Sequence, residues 1–242
     1  MALHLNAALS TDTVNASLVL HLHSLIRVPV TKGGFSAQSS RNAPRKQLVM
    51  PKRALRTGTL ARRRELSPQQ VSCQSLALQQ RFLALPEFQR AKVLALYAPI
   101  HHEVETAAVA AYALATGKTL LYPAVEGSEM QFRRVRVLDE LIPGRFGIPE
   151  PAGEAWEPDA ADLVVVPGVA FDLSGRRIGY GKGYYDKALH RLEGTGRLVG
   201  FCYDFQLFEE IVGEPHDVTM DIIVTELRVV RVNKNIDEEE HR

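Results

Sequence analysis

Two rhythms of apolar and polar positions take turns along this chain. Solid apolar runs fall at residues 93–97, 119–125, 163–166, 198–203, 222–225 and 229–232 and read as strands, several of them buried on both faces. Residues 130–137 alternate apolar and polar, as in a half-exposed strand. Between these runs the period lengthens. Residues 52–65 read as an Arg-rich helix weakened in its middle by Gly58. Ser67 as N-cap and Pro68 at the first helical position open a second helix, to about Ala84, with Val71, Leu76, Leu78, Phe82 and Leu83 available for packing. Thr106 is placed to cap an Ala-rich helix that ends at Gly117. Tyr185, Leu189 and Leu192 share one helical face, and 207–212 reads as a short helix. Strands alternating with helices predict an α/β fold whose mostly parallel sheet is covered by helices, in one domain over about residues 50–234.

The densest pattern of unusual residues follows the run at 163–166. Pro167 and Gly168 end that strand, and Asp172, Arg176 and Arg177 follow. Gly179, Gly181 and Gly183 then stand at alternate positions around Tyr180 and Lys182, and a helix begins near Tyr184. Glycines so spaced let backbone N–H groups turn inward and converge on an anion. A helix N-terminus adds its dipole and free N–H groups. The pattern is neither a Walker loop nor a dinucleotide fingerprint, and as residues it predicts a polyanion site, most simply for phosphate.

Composition narrows the alternatives. A formal net charge of +1 argues against nucleic acid as the main partner. No apolar run approaches the roughly 20 residues of a membrane-spanning helix. Cys73 and Cys202 lie far apart and form no metal-ligand cluster. Each reads as a buried small hydrophobe, which fits a reducing cytoplasm. Residues 1–49 are basic, nearly free of acids and rich in Ser, Thr and Asn. They are expected to be disordered, or upstream sequence translated from an early start ahead of Met50, rather than a transit peptide. Residues 235–242 form a charged tail expected to fray.

Other candidates are weaker as residues alone. Lys52 and Arg56, at i and i+4, share a helix face, whereas Arg62, Arg63 and Arg64 read as a solvated helix end. His101, His102, Glu103 and Glu105 lack metal-ligand spacing. Glu103 stands apart, at a strand C-terminus where crevices open in parallel sheets. His216 and Asp217 are expected to order the loop that carries Asp221.

Five motifs in order carry a resemblance. They are Lys52-Arg53-x-x-Arg56, the Glu103-to-Thr106 stretch, Gly147-Ile-Pro-Glu-Pro151, the Gly-rich stretch, and His216-Asp-Val-x-x-Asp221. Together they resemble the 5-formyltetrahydrofolate cyclo-ligases, also called 5,10-methenyltetrahydrofolate synthetases. The resemblance implies a three-layer α/β/α sandwich and ATP-driven, Mg²⁺-dependent conversion of 5-formyltetrahydrofolate to 5,10-methenyltetrahydrofolate by a cytoplasmic monomer. It implies ATP contacts at Lys52, Arg53, Arg56, Arg177, Ile178, Gly179, Tyr180, Gly181, Lys182, Gly183, Tyr184 and Tyr185. It implies folate contacts at Ala98, Glu103, Phe146, Tyr180, Gly181, Lys182, Gly183 and Tyr184. Lys182 and Arg177 are the implied catalytic cations, and Asp186 and Asp221 the implied Mg²⁺ ligands. The nearest alternatives are an isomerase or CoA transferase of the wider α/β class, or a binding module reusing the fold.

Overall fold

The structure, a computed structural model, describes residues 50–127, 129–156, 161–181, 183–192, 196–214 and 217–233. The expectations for residues 1–49, Lys182, His216, residues 235–242 and the Phe146 side chain lie outside what is described.

Among the described residues the α-helices are α1 Lys52–Arg64, α2 Pro68–Leu83, α3 Pro86–Arg90, α4 Ala107–Ala115 and α5 Tyr184–Leu192. The strands are β1 Val93–Ala95, β2 Thr119–Glu126, β3 Glu129–Val135, β4 Leu141–Pro143, β5 Pro149–Pro151, β6 Ala155–Trp156, β7 Leu163–Pro167, β8 Ala170–Asp172, β9 Arg177–Ile178, β10 Arg197–Phe201, β11 Leu207–Phe208, β12 Ile222–Val224 and β13 Val229–Arg231. Eight of them form one sheet in the order β13-β12-β10-β7-β1-β2-β3-β6. The five central strands, β12 to β2, run parallel, and β13, β3 and β6 are antiparallel at the edges.

Alternation along each strand builds three layers. On β7, Leu163 and Val165 face one core with Leu94, Leu120, Val199 and Ile222, under Leu78 and Phe82 of α2, Phe88 of α3 and Val109 of α4. Val164 and Val166 face the other, with Ala95, Leu121, Leu198 and Ile223, against Ala188 and Leu189 of α5. A strand buried on both faces is why residues 163–166 read as a solid apolar run. β3 alternates buried and accessible side chains, as its sequence predicts.

Local signals explain several boundaries. Ser67 and Gln70 form a reciprocal capping box at the start of α2, worth about 1 kcal/mol. Thr106 does not cap α4 with its side chain; its hydroxyl donates instead to the Tyr97 carbonyl, which the end of β1 leaves unpaired. Residues 207–212 are not helical. Leu207 and Phe208 pair with Phe171 and Asp172, and the Ile211 N–H donates to the buried Asp172 carboxylate. β8, β9 and β11 thus make a small second sheet beneath the Gly-rich loop. Leu76 lies exposed on the outer face of α2, and Cys73 is exposed too, while Cys202 is buried as expected.

Candidate active site at the carboxyl ends of the parallel strands

The sheet order doubles back between β1 and β7, and a cavity of about 450 Å³ opens above their C-terminal ends. Tyr97, Ala98, Ile100, His101 and Glu103 come from the loop after β1. Pro123, Val125 and Met130 come from β2 and β3, and Gly147, Ile148 and Glu150 from the β4–β5 hairpin. Glu150 fixes that hairpin to β2, its carboxylate accepting from the Arg145 N–H at 3.1 Å and the Val125 N–H at 3.3 Å. The opposite wall is Pro167, Arg177, Gly179, Tyr180, Gly181, Gly183, Tyr184, Tyr185 and Asp186.

The Gly-rich wall gathers cations. Gly181 and Gly183 hold φ of 93° and 72°, in the left-handed region that a side chain resists. These turns carry the chain from β9 into α5. Arg56 reaches over from α1, and its Nε donates to the Gly179 carbonyl at 2.9 Å. Its guanidinium lies 3.7 Å from where a Cβ on Gly181 would sit. Arg177 is nearly buried and ion-paired with Asp186, and its guanidinium lies 5.9 Å from the Tyr185 ring centre. Burial lowers its pKa from the usual value, and Asp186 opposes that shift. Lys52, one turn before Arg56, binds Asp217 at 2.9 Å and Glu214 at 3.1 Å. Desolvation weighs against its charge, but the two carboxylates leave its pKa raised.

The other end centres on Glu103. Its side chain is buried, and its Oε2 accepts from the Ile100 N–H at 3.0 Å. Burial lifts its pKa to about 7, although Arg63, that N–H and the Tyr180 hydroxyl all favour the carboxylate. Tyr180 bridges the two ends. Its hydroxyl accepts from Arg63 and lies within hydrogen-bonding reach of Glu103, on the loop that carries Gly179 and Gly181. Burial and the Glu103 charge push its phenol up to about 12, so it acts as a neutral donor.

The model of the 5-formyltetrahydrofolate cyclo-ligase family matches residues 49–226. The chain belongs to that family. It is therefore an enzyme, a ligase of folate metabolism. A probable 5-formyltetrahydrofolate cyclo-ligase of Schizosaccharomyces pombe is 32% identical over 179 residues, covering 66% of this chain and 88% of the relative. The structure of the Aquifex aeolicus 5,10-methenyltetrahydrofolate synthetase superposes with a TM-score of 0.70 at 39% identity, over 80% of this chain and 100% of that one. The Mycoplasma pneumoniae synthetase gives 0.61 at 28% identity, over 73% and 99%.

The cyclo-ligase motifs meet at this cavity with some departures. Ala98, Glu103, Arg177, Gly179, Tyr180, Gly181, Gly183, Tyr184, Tyr185 and Asp186 line it, and Lys52 and Arg56 approach from α1. Arg53 is exposed, since it lies about 100° around the helix from Lys52. Ile178 turns its side chain into a small core with Leu55, Ala170 and Ile211, so only its backbone faces the loop.

Asp221 departs most. It precedes β12 and sits level with Leu198 and Val164, at the amino ends of the parallel strands. That is roughly 10 Å down the strands and 10 Å across from Pro167. Its Oδ2 accepts from the Leu198 N–H at 2.7 Å. Asp162 does the same work at the start of β1, accepting from the Lys92 and Val93 N–H groups at 2.7 and 2.9 Å. Both acids satisfy strand-start donors, whereas Asp186 lines the cavity and Asp221 is not among its lining residues. The acid that does come near is Asp217, whose charge acts on Lys52 and Arg177.

Arg63 is not the solvated helix-end cation that its neighbours Arg62 and Arg64 suggest. It is 1% exposed, and its guanidinium points under the cavity wall. The signal was in the sequence: 52, 56 and 63 lie at i, i+4 and i+11 on one face, whereas Arg62 and Arg64 fall on others. Among the described residues, no cluster of three or more His, Cys, Asp or Glu side chains could hold a metal ion. The donors at hand suit instead a hard cation that brings phosphate oxygens and water and needs one or two carboxylates, with Asp186 on the cavity wall to supply one.

Proposed function

We propose that this cavity couples ATP cleavage to closure of the methenyl ring of a reduced folate. The observation that carries the reading is the shared lining. The glycine turns and Arg177 stand on one side, braced by Arg56, and the buried Glu103 on the other, with Tyr180 linking them.

The triphosphate lies along the Gly179–Tyr185 segment, where backbone N–H groups and the Arg56 guanidinium receive it. Lys182 is proposed to reach the same phosphates. Magnesium, when bound, neutralises charge on the terminal phosphates, and Asp186 would hold it. The pterin lies against Ile148, Met130 and Ala98, with its adjacent ring N–H donors toward the Glu103 carboxylate. Phe146 remains a proposed folate contact beside Gly147.

A formamide carbonyl is a poor electrophile, so N10 cannot expel oxide from it unaided. The formyl oxygen instead attacks the γ-phosphorus. An O–P bond forms, the bond to the β-phosphate oxygen breaks, and ADP leaves. N10 then attacks the formyl carbon and gives up its proton. Phosphate departs with the former formyl oxygen, and 5,10-methenyltetrahydrofolate remains. Arg177 and Lys182 stabilise charge on the transferring phosphoryl group. The apolar walls exclude water that would otherwise take the phosphoryl group. The enzyme is proposed to act as a monomer in the cytoplasm.

Incubating the full chain with 5-formyltetrahydrofolate and Mg-ATP tests the reading. Methenyl-folate absorbance should rise with one ADP formed per turnover, and none should appear without ATP. A flat absorbance trace would contradict it.

A further inference from the structure

Among the described cationic side chains, Arg63 is the most deeply buried, and the proposed chemistry does not use it. It does not line the cavity, yet it holds three parts of its wall. Its Nε donates to the His101 carbonyl at 3.0 Å, one Nη donates to the Gly168 carbonyl at 3.3 Å, and the other donates to the Tyr180 hydroxyl. Its own carbonyl contacts His102 Nδ1 at 3.2 Å. His101 and His102 both have positive φ, 48° and 58°, a conformation non-glycine residues hold only when surrounding contacts impose it. The buried cation also faces Glu103, whose other neighbours are Tyr97, Tyr180 and Tyr185.

We infer that Arg63 is a positioning residue for folate: it locks the loop after β1 and the Tyr180 hydroxyl into register and sets a positive charge beside Glu103, which faces the pterin. This rests on the proposed reading of the cavity. A guanidinium suits the place because its planar fork serves three acceptors at once, which an ammonium cannot match in geometry. Burial alone favours neutral Glu103, and the Arg63 charge is the largest influence opposing it. Arg63 therefore acts on folate through Glu103 and Tyr180, and on ATP only weakly.

The test compares wild type, Arg63→Met and Arg63→Lys in steady-state kinetics from pH 6 to 9.5. Arg63→Met should raise the folate KM about threefold at pH 7.5, the ionisation lost when the Glu103 titration moves up by about one unit, and change the ATP KM less than about twofold. Its folate KM should recover toward wild type at the alkaline end. Arg63→Lys should keep the wild-type pH profile with an intermediate KM, and it decides the matter if Arg63→Met does not fold. Equal rises in both KM values, or an unmoved pH profile, would overturn the inference. A second arm needs no substrate: ¹³C NMR of glutamate-δ-labelled protein, with Glu103→Gln to assign the signal. The Glu103 titration should move to higher pH in Arg63→Met, and an unchanged titration would overturn the inference. An inactive wild type with a shifted Glu103 titration would instead remove the folate reading and leave the Arg63–Glu103 coupling standing.

Discussion

Glu103 is where a single side chain has the most measurable consequences. Its carboxyl has a folded pKa near 7 against an unfolded value near 4.5. Between those values the native state binds the extra proton, so stability falls as pH rises and the loss is complete above about pH 7. Glu103→Gln should therefore gain up to about 3 kcal/mol relative to wild type on going from pH 4.5 to pH 8, while its folate KM rises. Urea unfolding at the two pH values reads this directly, and a difference independent of pH would contradict it. The two aspartates divide in the same way. Asp186→Asn should abolish turnover in a folded protein, because Asp186 borders the cavity and pairs with Arg177. Asp221→Ala leaves the Leu198 N–H without its acceptor, so it should lose about 1–3 kcal/mol of stability with the Mg²⁺ requirement unchanged. A changed Mg²⁺ dependence in Asp221→Ala would restore that residue to the metal site.

Among the elements, α1 shows both what was legible in the sequence and what was not. The i, i+4 spacing of Lys52 and Arg56 correctly puts them on one face, and that face meets the Gly-rich loop. Arg56→Ala should raise the ATP KM at least about tenfold, the loss expected for one charge-assisted contact, with the folate KM little changed. Gly181→Ala should act on the same step, because an alanine at φ 93° is strained and this turn lies against the Arg56 guanidinium. The burial of Arg63 was hidden by Arg62 and Arg64, since three adjacent cations at a helix end satisfy the dipole whether or not one of them turns inward. The strand at 207–208 was hidden for another reason. Its partner β8 lies far back in the chain, and a local apolar run carries no record of distant pairing. Asp221 is ambiguous in sequence because an acid just before a strand looks the same whether it binds metal or caps a neighbouring strand, and the level of the sheet at which it lies favours the cap.

Across the whole molecule, the alternation of apolar runs and helical periods was enough to give the parallel sheet and its two helical layers, because both cores fill from opposite faces of the same strands. The shared cavity was less visible, since its walls come from positions as distant as Glu103, Glu150 and Asp186. The family match begins at residue 49. Deleting residues 1–49 should therefore leave the melting temperature and turnover intact, and loss of folding in the truncated chain would refute this. The central claim is that the phosphate-binding turns and the pterin wall serve one reaction, in which the formyl oxygen takes the γ-phosphoryl group. Turnover of 5-formyltetrahydrofolate labelled with ¹⁸O in the formyl group, followed by mass analysis of the released phosphate, tests it most directly. One ¹⁸O atom in each phosphate is the predicted result, and unlabelled phosphate would contradict the account.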